Sequence, residues 1–344
     1  MATPRSRIVD ESVTPFYHCV SRCVRKAFLC GEGVEHRKEW IENRLKDLVA
    51  IFAIDCAGYA IMDNHLHLLL RLDSRRAKGW TPEEAARRWL TLFPLRAVDG
   101  SPLPVSKSRV AELASDADRT AETRRKLVDL GWFMKCLKEP LARLANKEEG
   151  CTGAFWEGRF KSVAVLDEEA LLATAAYIDL NPVAAGISAA PETSPHTSVH
   201  ARVEHCRANG TLDTLRDDLS TQTHNPEQEK DLWLIPVDDR RDFGDARPGL
   251  IPGLTLSCYL RLVDWTSRLI REGKSRVSPE VGSIFERLKT DPAEWEVMMV
   301  WMLTRVKRSG CHFGGRERLR QTAQARGKRW HRNQVPLRPA PTAA

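Results

Sequence analysis

Apolar and polar residues alternate in three short segments near the start of the chain. Residues 16–23 (FYHCVSRC), 54–62 (IDCAGYAIM) and 65–72 (HLHLLLRL) have the pattern of β-strands. The Met-Asp-Asn turn at 62–64 predicts that the last two strands form an antiparallel hairpin. Residues 35–52 carry apolar side chains at helical spacing, which predicts a helix between the first two strands.

The middle of the chain is predicted to be mostly helical. Residues 73–118 form an excursion with a helical stretch and a long loop. Residues 120–147 have a helical pattern, and Pro140 within it predicts a kink or a break because proline lacks the amide hydrogen. An extended segment over 153–166 and a helix over 167–181 follow.

Composition divides the chain into four parts. We predict a main domain over residues 1–206, a polar linker over 207–231, a helical region over 232–304 and a basic tail over 305–344. The linker is assigned because residues 207–231 contain few apolar side chains.

Positive charge is concentrated in the tail. The chain has a formal charge of +7, and residues 305–338 contain eleven Lys or Arg against one acid, Glu317. So basic a segment, with Phe313 and Trp330 interleaved, suits a polyanion, although charge alone equally permits a solvated, disordered end. The candidate nucleic-acid contacts of the tail are Arg316, Arg318, Arg320, Lys328 and Arg329.

The sequence predicts a cytoplasmic protein with no membrane partner. Its longest apolar stretch, residues 48–62, contains Asp55 and is too short to span a bilayer. The first residues lack the apolar core of a secretory signal.

Nine cysteines are scattered along the chain. An odd number without a CxxC pair favours reduced thiols over a disulfide framework. The nearest approach to a zinc cluster is His18, Cys19, Cys23 and Cys30, whose spacing is irregular. A zinc-stabilised regulator is therefore an alternative that metal analysis would test.

Two histidines interrupt the leucine-rich segment 65–72. His65 and His67 share one face of the predicted strand with Arg71, and the alternate leucines take the other face. Adjacent imidazoles are a natural pair of metal ligands because their ring nitrogens can converge on one ion. Two hydrogen-bonded surface histidines are the alternative.

A tyrosine and an asparagine share one face of the helix predicted over 167–181. Tyr177 and Asn181 are four residues apart, which places them one turn from each other. Alanine and threonine neighbours leave the phenol reachable. In isolation, the preferred interpretation is a half-buried core tyrosine and an asparagine that caps the helix end before Pro182.

Together these motifs resemble a family. NHLHLLL (64–70) is similar to the histidine-hydrophobic-histidine signature of HUH single-tyrosine transposases. YIDLNPVAAG (177–186), preceded by GRFKS (158–162), resembles the tyrosine helix of their REP-associated tyrosine transposase branch. YHCVSR (17–22) and GWFMKCLKEPLARLAN (131–146) extend the resemblance over most of residues 16–200.

The resemblance implies a fold and a site. The fold would be α+β, a ferredoxin-like antiparallel sheet with helices on one face, followed by the mostly helical C-terminal region and the basic tail. Tyr177 would be the nucleophile, and His65, His67 and Asn181 would hold a divalent ion, Mg²⁺ or Mn²⁺ by ligand type. Ala184 replaces the family arginine, which puts one DNA contact in doubt.

The implied reaction is metal-dependent cleavage and transfer of single-stranded or hairpin DNA. Attack by Tyr177 would give a 5′-phosphotyrosine and a free 3′-hydroxyl. Arg159 and Lys161 are expected to contact phosphate while Phe160 enters the core, and Arg22 and Arg71 are weaker candidates. A non-cleaving nucleic-acid-binding regulator is the alternative. A homodimer is possible, and we expect association with the nucleoid when the protein is bound to DNA.

Overall fold

The computed structural model describes residues 8–215, 227–238, 248–272, 291–304, 310–329 and 331. Parts of the predicted linker, helical region and tail therefore lie outside the described residues, including 216–226, 273–290 and 332–344.

A five-stranded sheet forms the centre of the fold. Its strands are β1 (Phe16–Arg22), β2 (Ile54–Ile61), β3 (His65–Leu72), β4 (Lys161–Val165) and β5 (His312–Phe313). They lie in the order β2-β3-β1-β4-β5. The first four strands are antiparallel to their neighbours, and β5 is parallel to β4. This order of the first four strands is ferredoxin-like, and it confirms the predicted α+β class.

Twelve α-helices surround the sheet in the described residues. They are α1 (His36–Ile51), α2 (Ser74–Gly79), α3 (Pro82–Leu92), α4 (Lys107–Ala114), α5 (Ala117–Lys126), α6 (Leu130–Glu148), α7 (Glu168–Asp179), α8 (Asn181–Ala184), α9 (Ser198–Ala208), α10 (Leu256–Glu272), α11 (Pro292–Thr304) and α12 (Arg316–Ala325). Helix α6 continues through Pro140 without a break. Helices α2 to α5 make up most of the predicted excursion, with a small core of their own between α3 and α4.

Helices cover both faces of the sheet, whereas the sequence predicted them on one. Alternate residues of β3, including Leu66 and Leu68, pack with α1 and α6. The other face, including Leu69 and Val163, packs against α7. Residues 170–179 of α7 are all buried. A helix that is apolar all round must be covered on every side, so α7 lies between the sheet and further helices.

The C-terminal region supplies that cover. Helices α10 and α11 contribute Tyr259, Trp265 and Trp295 to the core that contains α7. Beyond them, β5 extends the sheet and Leu319 of α12 is buried in the opposite core. Part of the predicted basic tail is therefore integrated into the fold. None of the helices within the described ranges is long and apolar enough to cross a membrane.

Candidate active site

The fold brings together three of the residues singled out in the sequence. His65 and His67 are neighbours on β3, with ring centroids 4.9 Å apart. The ring of Tyr177 on α7 lies edge-on to His67, with centroids 5.4 Å apart and an interplanar angle of 86°. All three side chains come from one chain, so this contact needs no second subunit.

Strand alternation explains why the histidines face the tyrosine helix. Leu66 and Leu68 fill the core beneath α1 and α6, so His65 and His67 must project to the opposite face. Asp167 caps α7 by accepting from the amide of Ala170 at 2.9 Å. This cap fixes the start of the helix that carries Tyr177 across the same face.

A third histidine, which sequence reasoning assigned elsewhere, completes the cluster. His18 is 4% exposed and stacks on His67, with centroids 5.1 Å apart. A 2.9 Å hydrogen bond joins Nε2 of His18 to Nδ1 of His67. The ring of His18 also meets Tyr177 edge-on at 5.8 Å between centroids. The sequence contained the information that places His18 here. Side chains alternate along β1, so His18 and Cys19 lie on opposite faces and cannot belong to one cluster.

Asn64 orients the first histidine. Its Nδ2 donates to the carbonyl of Lys26 at 3.2 Å, which leaves its Oδ1 2.6 Å from Nδ1 of His65. An amide oxygen only accepts, so the proton of His65 lies on Nδ1 and the lone pair on Nε2. Burial, and to a smaller extent the charge of the nearby Arg22, lower the pKa of His65 to about 4. The ring is therefore neutral near pH 7.

The buried side chain of Asp179 anchors the helix that carries Tyr177 to two neighbouring helices. Asp179 accepts from the hydroxyl of Ser198 at 2.6 Å, from the amide of Val199 at 3.0 Å and from the phenol of Tyr259. These bonds connect α7 to α9 and α10. Burial raises the pKa of Asp179, while the three hydrogen bonds lower it.

Asn181 begins the short helix α8, one turn after Tyr177. Its Nδ2 donates to the carbonyl of Tyr177 at 2.6 Å. The expectation of an asparagine bonding at the helix end is met, and Oδ1 remains as an oxygen donor atom. Its role as a metal ligand stays a prediction.

The donor set suits a divalent ion. Two imidazoles that bind one ion through nitrogens at about 2.1 Å place their ring centroids roughly 4.5–5.3 Å apart. The rings of His65 and His67 have that separation, 4.9 Å. Nδ1 of His65 bonds to Asn64 and Nδ1 of His67 bonds to His18, so Nε2 is the nitrogen of each ring that would bind an ion. Asn181 would complete a set of two nitrogens and one oxygen.

Three cations surround this end of the sheet. Arg22 is paired with His65 across β1 and β3, and Lys161 is paired with Val20, which is itself opposite His67. Arg159 is exposed in the loop before β4, and that loop is tied to β1 where the amide of Glu157 donates to the Arg22 carbonyl at 2.8 Å. We call Arg22, Arg159 and Lys161 the basic rim. Phe160 is buried, as expected.

Arg71 has a different role from the one predicted. Its guanidinium is 4% exposed and donates to Asp55 at 2.7 Å and to the Pro248 carbonyl at 2.7 Å. Asp55 also accepts from Arg76. A buried arginine engaged in this way ties the sheet to the segment that precedes α10, and its guanidinium is not exposed to a DNA backbone.

The five candidate cations of the tail are exposed. Arg316, Arg318 and Arg320 lie on α12, and Lys328 and Arg329 follow it. Arg320 pairs with Glu317 at 2.8 Å, and Arg318 donates to the Leu166 carbonyl at 3.3 Å. Contact with DNA stays a prediction for all five.

The cysteines do not gather around His18. Cys19 lies on the opposite face of β1, in the core beneath α1 and α6. Cys23 and Cys30 are hydrogen-bonded to each other, and this bond and burial raise the pKa of the Cys23 thiol. Within the part of the chain that the structure describes, no three His, Cys, Asp or Glu residues form a group able to hold a metal. The proposed zinc cluster is therefore not assembled.

Comparison with known proteins gives one similar structure. No protein-family model and no curated protein matches the chain. Among solved structures, the chain is similar to a REP-associated tyrosine transposase bound to a REP hairpin, with a TM-score of 0.29 and 12% sequence identity. The match covers 55% of this chain and 78% of that chain.

Proposed function

We propose that this chain is a metal-dependent strand transferase acting on single-stranded or hairpin DNA, with Tyr177 as its nucleophile. The observation that carries the proposal is the contact between Tyr177 and His67, within a cluster that also contains His65 and His18. A phenol beside imidazoles that offer two ligand nitrogens is the arrangement that this chemistry requires.

The reaction divides into two transfers. The phenol oxygen of Tyr177 attacks the scissile phosphorus, the bond to the 3′-oxygen breaks, and the phenol proton passes through solvent to the departing 3′-oxygen. The products are a 5′-phosphotyrosine and a free 3′-hydroxyl. In the second transfer a 3′-hydroxyl attacks the same phosphorus and releases the tyrosine, so the phosphodiester is conserved.

A bound divalent ion, Mg²⁺ or Mn²⁺, would supply Lewis acidity to the phosphate and to the departing 3′-oxygen. His65 and His67 would hold it through Nε2, and Asn181 through Oδ1. Asn64 would keep His65 in the required tautomer, and His18, acting as the acceptor, would do the same for His67. The basic rim would position the phosphates on either side of the scissile bond.

A second candidate is a nucleic-acid-binding regulator that does not cleave. Tyr177 is 7% exposed and His67 is 3% exposed. Burial of a nucleophile to this extent favours a structural role unless substrate binding opens the site. The basic rim could contact nucleic-acid phosphates in a regulator as well as in a transferase.

An adduct assay separates the two candidates. The protein is incubated with hairpin DNA labelled at the 3′ side of the cut and with Mn²⁺, then denatured and resolved by electrophoresis. The transferase gives a labelled, protease-sensitive band that depends on Mn²⁺ and is absent for Tyr177→Phe. Binding without any such band on a panel of hairpins and single strands would favour the regulator.

A further inference from the structure

A short loop directly after β1 presents two cations and an aromatic ring to solvent. Residues 24–28, Val-Arg-Lys-Ala-Phe, are here called the Phe28 loop. Arg25 and Lys26 are exposed, and Phe28 is 69% exposed. Phe93 is also exposed, at 44%. A single exposed apolar side chain is ordinary, so exposure alone carries no conclusion.

The backbone of this loop is strained. Arg25 has φ of 54° and Lys26 has φ of 58°. The left-handed region is unfavourable for residues with a Cβ atom, and two such residues in succession persist only where the surroundings hold them. Strain of this kind is concentrated at functional sites.

The turn that precedes β3, residues 63–64, holds the loop in place. The amide of Cys23 donates to the Asn64 carbonyl at 2.8 Å, and the amide of Cys30 donates to the Asp63 carbonyl at 2.8 Å. Nδ2 of Asn64 donates to the carbonyl of Lys26. Both ends and the centre of the loop are thus tied to residues 63–64. Oδ1 of the same Asn64 accepts from His65, so the loop and the candidate metal ligand share one support.

We propose that the Phe28 loop binds an unpaired nucleotide next to the scissile phosphate, with its base stacked on Phe28 and its phosphates contacted by Arg25 and Lys26. An exposed ring beside cations is the usual composition of a single-strand binding site, because every base has a face that can stack. A base inside a duplex has both faces covered by its neighbours. The loop would therefore select an unpaired segment over a stem.

The placement next to the scissile phosphate rests on the proposed function, whereas base stacking does not. Since the loop and His65 are tied to the same asparagine, a base held by Phe28 sits at a fixed distance from the chemistry. The loop would then help to select which phosphate enters the site.

Abasic scanning tests the proposal. Affinities of the full-length protein are measured for a hairpin with a single-stranded flank, in which each unpaired nucleotide is replaced in turn by an abasic residue. For the wild type, one position should lower affinity about 5- to 100-fold, the size of one stacked base. Phe28→Ala should lower the affinity for the intact flank by a similar factor and should show no further loss at that abasic position. Phe28→Trp should restore affinity and the abasic effect.

Phe93→Ala is the matched control, because it removes an exposed phenylalanine that directly follows α3 and packs on Trp89 and Trp132. It should leave the abasic profile unchanged. Equal affinities of Phe28→Ala and wild type for every oligonucleotide would overturn the proposal, as would a wild type that does not bind single strands. If the abasic coupling holds but no tyrosine adduct forms, the loop stands and the proposed chemistry fails.

Discussion

The ring of Tyr177 meets the ring of His67 edge to face, at 5.4 Å between centroids. His67 is the third residue of β3, and Tyr177 lies in the second half of α7. The two side chains are distant in sequence, and the contact depends on β3 and α7 packing in one register. Substitutions can therefore separate the chemistry of the phenol from the packing of its ring.

Tyr177→Phe should abolish the covalent adduct and leave DNA affinity within about twofold. The ring keeps its contacts with His18 and His67, and only the nucleophilic oxygen is lost. The measurement is adduct yield at saturating hairpin DNA, with affinity from fluorescence anisotropy. Tyr17→Phe is the control, because Tyr17 lies in the core beneath α1 and α6. Its phenol donates to the Thr14 carbonyl and accepts from the Asp10 amide, so its loss should cost about 1–3 kcal/mol of stability while the adduct remains. Undiminished adduct from Tyr177→Phe would remove Tyr177 from the mechanism.

His65→Ala and His67→Ala should both weaken Mn²⁺ binding, but they should differ in stability. His67 is 3% exposed and stacked, so its removal leaves a cavity that costs about 2–4 kcal/mol in the free energy of unfolding. His65 is less buried, and its removal should cost about 1 kcal/mol. Urea unfolding without metal gives the stabilities, and titration with Mn²⁺ followed by electron paramagnetic resonance gives the affinities. Unchanged Mn²⁺ affinity in both variants would give the pair a purely structural role.

His18 should act on metal binding through the tautomer of His67. His67 can offer Nε2 to an ion only when its Nδ1 donates to His18, so His18 must accept. His18→Phe keeps a ring but no acceptor, and we expect Mn²⁺ affinity to fall about 10- to 100-fold. His18→Gln supplies an acceptor at a similar distance from the backbone and should recover most of that loss. His312→Phe, at a buried histidine on β5, is the control that should leave Mn²⁺ affinity unchanged. Equal affinities of the Phe and Gln variants would show that His18 acts by packing alone.

Each member of the basic rim should contribute to the salt dependence of DNA binding. Release of counterions gives a slope of log affinity against log salt of about −0.7 per phosphate contacted on a single strand. Arg22→Gln and Lys161→Gln should each flatten the slope by about that amount if they neutralise one phosphate. Arg125→Gln, an exposed cation on α5, should leave the slope unchanged. Slopes equal to that of the wild type for both rim variants would place the DNA elsewhere.

The sequence predicted the elements of the site better than the layers of the fold. The strands containing His18 and His67 and the helix containing Tyr177 were predicted within a few residues, because alternation, turn residues and an Asp cap are local signals. Helices on both faces of the sheet were missed. The sequence of α7 contains the reason, since a helix without a polar face has to be buried from several sides.

Other misses have a common physical cause, namely that partners distant in sequence decide a residue's role. Arg71 shares a strand face with the histidines, but only the fold brings Asp55 opposite it. The basic tail was predicted either to bind a polyanion or to be a solvated end, and neither prediction included the packing of Phe313 and Leu319 in the two cores. The charge pattern identified the cations of that segment, but it could not show which of the apolar residues between them are buried.

Asp179 should couple the C-terminal helices to the tyrosine. Asp179→Ala leaves Ser198 and Tyr259 without their acceptor and should cost about 2–4 kcal/mol in the free energy of unfolding, with loss of adduct. Tyr259→Phe removes one of the three bonds and should cost about 1–2 kcal/mol while part of the adduct remains. The measurement is chemical unfolding together with adduct yield at saturating DNA. Full adduct from folded Asp179→Ala would show that the anchor does not position Tyr177.

The same carboxyl group makes stability depend on pH. Burial raises the pKa of Asp179 in the folded state. Between the unfolded and folded pKa values the folded protein binds more protons, so its stability falls as the pH rises through that window. Asp179→Asn, which cannot ionise, should remove this part of the slope. The same slope in both proteins would assign it to other groups.

Alternation along β3 has a consequence for how the gene for this chain can change. Leu66 and Leu68 enter one core while His65 and His67 face α7, so residues encoded by neighbouring codons lie on opposite faces of the sheet. A strand that slips by one residue exchanges its two faces completely. Replacing one leucine by another apolar residue leaves the imidazoles in place, whereas deleting Leu66 makes the two histidines adjacent in the chain and turns one of them away from Tyr177. This strand can therefore vary by substitution, but the one-residue spacing between its histidines cannot change.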